Sequence, residues 1–305
     1  MYLHIFIVEL ILHRKMKRNE FIKSALGGAI AMESLKDLYK WNEQLAVKDS
    51  LMPMLFVGHG SPMNGIENNE FSQNWKKFGT EISVPTAVLV VSAHWYIPST
   101  KVTAMNAPRT IHDFGGFPKA LFDVRYPVPG SPALAQETAS LIHKTKVGLD
   151  HEWGLDHGTW TVVRHMYPKA NIPVLQLSID YTKPPRYHYE LAKELAALRK
   201  KGVLIIGSGN MVHNLRIIDW HLRDKGYVWA IEMNETFKSL IIRNEHEALI
   251  NYERLGQAGK LSIPTPEHYL PLLYILGLKE EKDKVSFFND KTMLGAISMT
   301  SVKVG

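Results

Sequence analysis

Short apolar runs, rich in β-branched residues, recur from residue 53 onward and end in glycine or in polar turns. Such runs predict β-strands. The run at residues 87–92 (AVLVVS) is apolar up to its last residue, which is typical of a strand covered on both faces. The predicted strands span residues 53–57, 87–92, 101–105, 173–178, 203–207, 285–288 and 294–300.

Segments with apolar residues at helical spacing lie between these strands. They predict helices at residues 132–144, 187–200, 228–242, 245–253 and 266–276. Alternating strands and helices predict a single α/β domain with a mostly parallel or mixed central sheet flanked by helices. A dinucleotide-binding fold is not indicated, because Gly207-Ser208-Gly209 lacks the third glycine and the acidic residue of that motif.

Residues 1–50 differ from the rest and are predicted to be an extension to a main domain at residues 51–305. The apolar residues 1–12 are too few to span a bilayer, which takes about 20 apolar residues. Residues 17–32 resemble a twin-arginine export signal in which Asn19 replaces the second arginine. The alternatives are an ordinary helical extension, or translation that starts at Met16. We expect a cytoplasmic protein, or a periplasmic one if the signal works.

The composition limits the metal ligands, nucleophiles and partners that the protein can have. The chain of 305 residues has no cysteine, which excludes disulfides, thiolate zinc sites, iron–sulfur clusters and cysteine nucleophiles. Any metal must therefore be bound by His, Asp or Glu. The net charge of +6 is a mild excess without a basic run, so neither nucleic acid nor a membrane is an expected partner.

Histidines follow three of the predicted strands. His59 ends the first strand, His94 ends the second, and His213 lies shortly after the fifth. Ligands of open α/β sheets bind at the carboxyl ends of strands, and imidazole is the commonest metal ligand in proteins. Three histidines at one edge of the sheet therefore predict a metal site.

His268 is a fourth candidate ligand. Thr265 as N-cap and Pro266 as first helical residue would place it in the first turn of a helix, where the helix dipole keeps imidazole neutral. Glu267 competes as a ligand, since two histidines and one carboxylate form the facial triad of non-haem iron(II) enzymes. His157 precedes another predicted helix and is placed to donate or accept a proton. The glycine- and aromatic-rich residues 110–118 are a candidate wall of a pocket.

Several segments together resemble the class III extradiol ring-cleaving dioxygenases, in the branch of 4,5-DOPA dioxygenase extradiol-like proteins. The resemblance covers roughly residues 52–301 and depends on the combination of motifs rather than on any one of them. These are residues 55–64 (LFVGHGSPMN), 90–95 (VVSAHW), 110–118 (TIHDFGGFP), 126–132 (YPVPGSP), 148–160 (GLDHEWGLDHGTW), 206–215 (IGSGNMVHNL) and 265–272 (TPEHYLPL).

The resemblance implies an oxidoreductase of aromatic compound metabolism with one divalent metal per chain. Its metal ligands fall on His59, His94, His213 and His268, while His157 matches a histidine that contacts substrate or oxygen. His213 also matches a catalytic base of the wider superfamily, so both roles stay open. Zinc is expected in the protein as isolated, and iron(II) for dioxygenase activity.

The implied reaction opens the ring of a catechol, such as L-DOPA, with O2 as co-substrate and no organic cofactor. Trp95, Tyr269 and Phe114 are expected to sandwich the aromatic substrate. A zinc-dependent hydrolase or isomerase with the same ligands is one alternative. A non-catalytic binding protein of the Memo type is another, although the presence of both His157 and His213 argues against it. The sequence does not indicate an oligomeric state.

Overall fold

The computed structural model describes residues 51–305. The predicted export signal, the helical extension and the alternative start at Met16 all lie outside the described residues. The strands are β1 (Met54–Gly58), β2 (Ala87–Ile97), β3 (Lys101–Thr103), β4 (Gly148–Asp150), β5 (Val174–Asp180), β6 (Val203–Gly209), β7 (Val285–Phe288), β8 (Thr292–Met293), β9 (Ile297–Ser298) and β10 (Ser301–Val304). The helices are α1 (Glu70–Glu81), α2 (Lys119–Phe122), α3 (Pro132–Leu141), α4 (His157–Met166), α5 (Pro185–Lys193), α6 (Ala196–Lys200), α7 (Val228–Ile242), α8 (His246–Ile250), α9 (Gly256–Ser262) and α10 (Leu270–Gly277).

Eight strands form one mixed sheet in the order β4-β3-β5-β2-β6-β1-β10-β7. The four central strands β5, β2, β6 and β1 are parallel, whereas β10 pairs antiparallel with both β1 and β7. The core of β2 is fully buried, as the apolar run at residues 87–92 predicts. The predicted α/β domain with a mixed central sheet is confirmed.

Helices cover both faces of the sheet. On one face, Leu55 of β1 and Ile206 of β6 pack into a core with Trp75 of α1 and Trp160 of α4. On the other face, Gly207 of β6 lies against the backbone of α10, and α10 packs against α5. Successive residues of a strand face opposite sides of the sheet, so Ile206 and Gly207 contact different helical layers.

The start of α4 is fixed by a buried cap. The side chain of Asp156 accepts a hydrogen bond from the backbone N–H of Thr159, which satisfies one of the free donors of the first turn. Asp156 also accepts hydrogen bonds from Ser92 of β2 and Gln176 of β5. These bonds anchor the first residue of α4, His157, to the central strands.

Several predicted elements differ in extent from the structure. The predicted strand at residues 294–300 is wrong in extent, because Leu294 and Gly295 have φ of 51° and 75° and interrupt the extended backbone. Only β10, which starts at Ser301, joins the main sheet, while β8 and β9 pair with each other. The predicted helix at residues 187–200 is two helices, α5 and α6, and the one at residues 245–253 ends at Ile250. Within residues 51–305, none of the helices is long and apolar enough to cross a membrane.

Candidate active site

Four predicted site histidines lie around one end of the central parallel strands. His59 directly follows β1, and His94 lies within β2, which continues past the predicted end at residue 92. His213 follows β6 through a short turn, and its backbone N–H donates to the carbonyl of Ser262. The carbonyl of His268 accepts a hydrogen bond from the backbone N–H of Asn210, just after β6.

His268 lies in a hydrogen-bonded turn before α10, so the predicted start of this helix at residue 266 is wrong. Helix α10 begins at Leu270, and residues 265–269 form a turn in which the N–H groups of Tyr269 and Leu270 both donate to the carbonyl of Pro266. Thr265 does not cap a helix, since its hydroxyl bonds the carboxylate of Glu267. Helix α10 therefore begins four residues later than predicted.

Three imidazoles meet in the buried centre of the site. One ring nitrogen from each of His59, His94 and His268 lies within 4.8 Å of the other two, and we call these residues the three-histidine group. The Nε2 atoms of His59 and His94 are 3.1 Å apart. Two imidazole nitrogens that each bind one zinc ion at about 2.1 Å lie roughly 3 Å apart. The spacing is therefore that of two ligands of one metal ion.

The hydroxyl of Ser208 sets the tautomer of His59. Ser208 donates its single proton to the carbonyl of Gly158, so it can only accept from Nδ1 of His59, which lies 3.0 Å away. The neutral His59 ring therefore carries its proton on Nδ1. Its Nε2 lone pair faces His94.

Asp113 contacts two histidines with one oxygen. Its Oδ2 atom lies 3.0 Å from Nδ1 of His157 and 3.3 Å from Nδ1 of His94. Burial alone would raise the pKa of Asp113, but the hydrogen bonds from His157 lower it below its ordinary value. An ionised carboxylate only accepts hydrogen bonds, so it favours the Nδ1–H tautomer of both rings.

Four of the site imidazoles are held neutral. Burial, followed by the neighbouring imidazoles, lowers the pKa of His59 and of His268 well below the ordinary value. Burial and the nearby His157 lower the pKa of His94 to about 3, and burial lowers that of His213 to about 4. Neutral imidazole is the form that binds metals.

The donor set fits a divalent metal. The Nε2 atoms of His59 and His94 are 3.1 Å apart, which is close enough for both to bind one cation. Buried nitrogen donors of this kind suit zinc or iron, and a second shell of carboxylate and hydroxyl groups is typical of histidine metal sites.

His213 lies beside the three-histidine group rather than within it. Its ring is stacked on that of His268, with 3.6 Å between ring centroids and 12° between ring planes. A metal bound to an imidazole lies in the plane of that ring, so two parallel stacked rings cannot both direct a lone pair at one ion. His213 also lies near Glu267, whose carboxylate is 3.4 Å from Nδ1 of His268.

Two of the three aromatic residues expected to hold the substrate lie in the core instead. Trp95 follows His94 in β2, is 2% exposed, and stacks on Trp153. Tyr269 is 1% exposed, and its hydroxyl donates to the carbonyl of Leu249. Phe114 does reach the site, where its ring meets that of His157 edge-on at 5.5 Å between centroids.

Asp113 and Ser208 form hydrogen bonds with site histidines, and the sequence patterns did not single them out. Asp113 lies in the predicted pocket wall at residues 110–118, where an acidic residue next to glycine and aromatic residues was the available signal. Ser208 lies between the two glycines at the end of β6. A serine in such a position is common in proteins, so its residue type alone does not indicate a contact with His59.

Comparison with known proteins identifies the family. Residues 52–305 match the family described as catalytic LigB subunit of aromatic ring-opening dioxygenase. The chain belongs to this family. It is 48% identical to 4,5-DOPA dioxygenase extradiol of Escherichia coli K12 over 86% of this chain and 98% of the relative. The protein of the same name from Beta vulgaris is 34% identical, over 84% of this chain and 97% of the relative.

A solved structure has the same fold. The crystal structure of an uncharacterized protein from Escherichia coli K12 superposes with a TM-score of 0.73 at 44% identity, covering 83% of this chain and all of that one. As a member of the LigB family, the protein is an oxidoreductase of the dioxygenase class. LigB dioxygenases are metal-dependent and act on aromatic substrates with O2, as the sequence motifs imply.

Proposed function

We propose that residues 51–305 form the catalytic domain of an extradiol catechol dioxygenase. His59, His94 and His268 would bind one divalent metal. The observation that carries this proposal is the 3.1 Å separation of the Nε2 atoms of His59 and His94, with a nitrogen of His268 close to both. Relatives named 4,5-DOPA dioxygenase extradiol support an L-DOPA-like catechol as substrate.

The reaction breaks the ring carbon–carbon bond next to the two hydroxyl-bearing carbons. Both atoms of one O2 molecule enter the product, one in an aldehyde and one in a carboxylate group, so no further oxidant or reductant is consumed. Iron(II), when bound, supplies the electron exchange between ring and dioxygen. Zinc fits the same donors in the protein as isolated but has no redox chemistry.

His157 is placed to take a proton from the catechol. Its Nδ1 is hydrogen-bonded to Asp113, so Nε2 is the atom that can accept a proton from a hydroxyl group. The ring centroid of His157 is 3.9 Å from that of His94, so a substrate at the three-histidine group lies within its reach. The side chain is 6% exposed, which limits competition from bulk water.

His213 is the second proton-handling group that we propose. Its ring is stacked on His268 and lies outside the three-histidine group, so it acts beside the metal rather than as a ligand. Burial lowers its pKa to about 4, which keeps the ring neutral, with one free lone pair, at neutral pH. Phe114 forms an apolar wall next to His157 that suits an aromatic ring.

The proposal is tested by oxygen uptake. Purified protein is stripped of metal, loaded with iron(II) without air, and mixed with L-DOPA, other catechols and a monophenol in air-saturated buffer. We expect one O2 consumed per catechol, a yellow ring-opened product, and no reaction with the monophenol. The zinc-loaded protein is the control and should consume no oxygen. Absence of oxygen uptake with every catechol would contradict the proposal and favour zinc-dependent hydrolysis or isomerisation.

A further inference from the structure

One carboxylate, that of Asp113, contacts both a proposed metal ligand and the proposed base. Its Oδ1 atom accepts a hydrogen bond from the backbone N–H of His157 at 2.8 Å, and its Oδ2 atom accepts from Nδ1 of the same ring at 3.0 Å. The same Oδ2 atom also lies 3.3 Å from Nδ1 of His94. All three groups around this carboxylate are therefore N–H donors or atoms that can become donors.

We infer that Asp113 is a positioning residue that selects the tautomers of His94 and His157 together. Neutral imidazole carries one proton, on either nitrogen. With the proton on Nδ1, facing Asp113, His94 has a free lone pair on Nε2 for the metal and His157 has one for the substrate proton. With the proton on Nε2, His94 cannot bind a metal and His157 cannot act as a base. The inference rests on the proposed function, since it assigns those two roles.

The loop that carries Asp113 is anchored without any help from the metal. The backbone N–H of Ile111 donates to the carbonyl of Leu155, and the indole of Trp160 donates to the carbonyl of Ile111. The hydroxyl of Thr110 accepts from the backbone N–H of Tyr126. These bonds hold the carboxylate in place before metal or substrate arrives, as preorganised sites require.

Replacing Asp113 with asparagine makes this role visible, because the two side chains have the same shape. The amide presents one acceptor and one donor where the carboxylate presents two acceptors. If its NH2 group occupies the Oδ2 position, it faces the Nδ1 protons of both imidazoles. If its NH2 group occupies the Oδ1 position, it faces the backbone N–H of His157. The first orientation opposes two N–H donors, and the second opposes one.

The first measurement is metal affinity, which does not depend on turnover. Zinc and cobalt(II) are titrated into metal-free wild type and Asp113→Asn, in competition with a chelator. We expect affinity to fall about 10–100-fold, the usual effect of removing an outer partner of a ligating histidine. The visible absorption bands of bound cobalt(II) should also change, because the orientation of His94 changes. Asp123→Asn is the matched control, since Asp123 is exposed and pairs only with Lys119 among the described residues.

The second measurement separates positioning from general stability. At saturating iron(II), turnover is compared in Asp113→Asn, His157→Ala and the double variant. If Asp113 acts through His157, its substitution should cost much less turnover when His157 is already absent. Additive losses, or unchanged cobalt(II) bands and metal affinity, would overturn the inference.

Failure of the proposed function can be distinguished from failure of the inference about Asp113, because it already affects the wild-type protein. If wild type itself binds no divalent metal or consumes no oxygen, the proposed function fails before Asp113 is tested. If Asp113→Asn does not fold, as judged by circular dichroism, Asp113→Ala replaces it, because alanine opposes no donor. Its expected loss of metal affinity is the same, and normal affinity in that variant would overturn the inference.

Discussion

Gly209 and His268 approach so closely that no side chain fits between them. A Cβ atom on Gly209 would lie 2.0 Å from the carbonyl oxygen of His268. The next residue, Asn210, donates its backbone N–H to that same oxygen at 2.9 Å. The end of β6 therefore fixes the turn that carries His268 to the other site histidines.

Gly209→Ala should displace this turn and weaken metal binding. The clash is with backbone, so it must be relieved by a shift of the turn, and we expect a loss of about 2 kcal/mol in stability and a clear loss of metal affinity. Thermal unfolding and metal titration measure the two effects. Gly115→Ala is the control, because a Cβ there meets nothing within 4 Å. Equal metal affinity in both variants would show that the turn does not depend on this contact.

His59→Ala and His94→Ala should each abolish stoichiometric metal binding. Each substitution removes one of the two nitrogens that face each other at 3.1 Å, and the remaining neutral donors are too few to hold the ion. Metal content after dialysis, measured by atomic emission, is the readout. His143→Ala, at an exposed histidine, should bind metal as wild type does. Full occupancy with normal turnover in either ligand variant would refute the assignment.

His213→Ala and His268→Ala should separate binding from catalysis. We expect His213→Ala to retain most of its iron and to lose about 10²–10⁴-fold in turnover, the usual contribution of a general base. His268→Ala should lose iron together with activity. Iron titration and oxygen uptake on both variants decide. If His213→Ala loses its iron while His268→Ala retains it, His213 is the metal ligand and His268 is not. Glu267 then becomes a ligand candidate.

A protein truncated to residues 52–305 should fold and bind metal. The site residues and every strand of the sheet lie within this range, and the family match covers the same residues. Circular dichroism and metal titration against the full chain test the expectation. An insoluble or metal-free truncated protein would show that residues 1–51 contribute to the domain. If export occurs, amino-terminal sequencing of native protein should find a start after Ala31.

Asp283→Asn should destabilise the fold at neutral pH by about 3 kcal/mol, since it leaves a buried guanidinium unpaired. Arg199 and Asp283 are 1% and 5% exposed and form two hydrogen bonds, of 2.7 and 3.0 Å. Arg199 also donates to the carbonyl of Met52, which fixes the chain just before β1. The exposed pair Lys77–Glu81 is the control, and Glu81→Gln should change stability by less than about 0.5 kcal/mol.

The effect of Asp283→Asn should also depend on pH. Burial would raise the pKa of Asp283, but the hydrogen bonds from Arg199 and from the backbone of Glu280 lower it overall. Its stabilising contribution is therefore complete above the unfolded pKa of about 3.9 and is lost as pH falls through the lower folded value. The difference in the free energy of unfolding between wild type and variant should begin to shrink below about pH 4. A constant difference down to pH 2 would exclude this titration.

Local sequence determined much of the fold. The apolar run at residues 87–92 became the buried core of β2, and the helix predicted at residues 228–242 has the same bounds in the structure. Both depend on short-range patterns of burial, which a single segment displays by itself. His59 and His213 lie at strand ends for the same reason.

The arrangement of the site depended on tertiary structure. The chain places Asp113, Ser208 and His268 far apart, and only the packing of β6, α4 and the turn before α10 brings them to His59 and His94. Which imidazole nitrogen carries the proton follows from contacts between residues up to 149 positions apart, such as that of His59 with Ser208. The stacking of His213 on His268 is of the same kind. Residue types and spacing therefore indicated which histidines to consider, whereas long-range contacts decided their orientation, because hydrogen-bond partners are set by the folded chain.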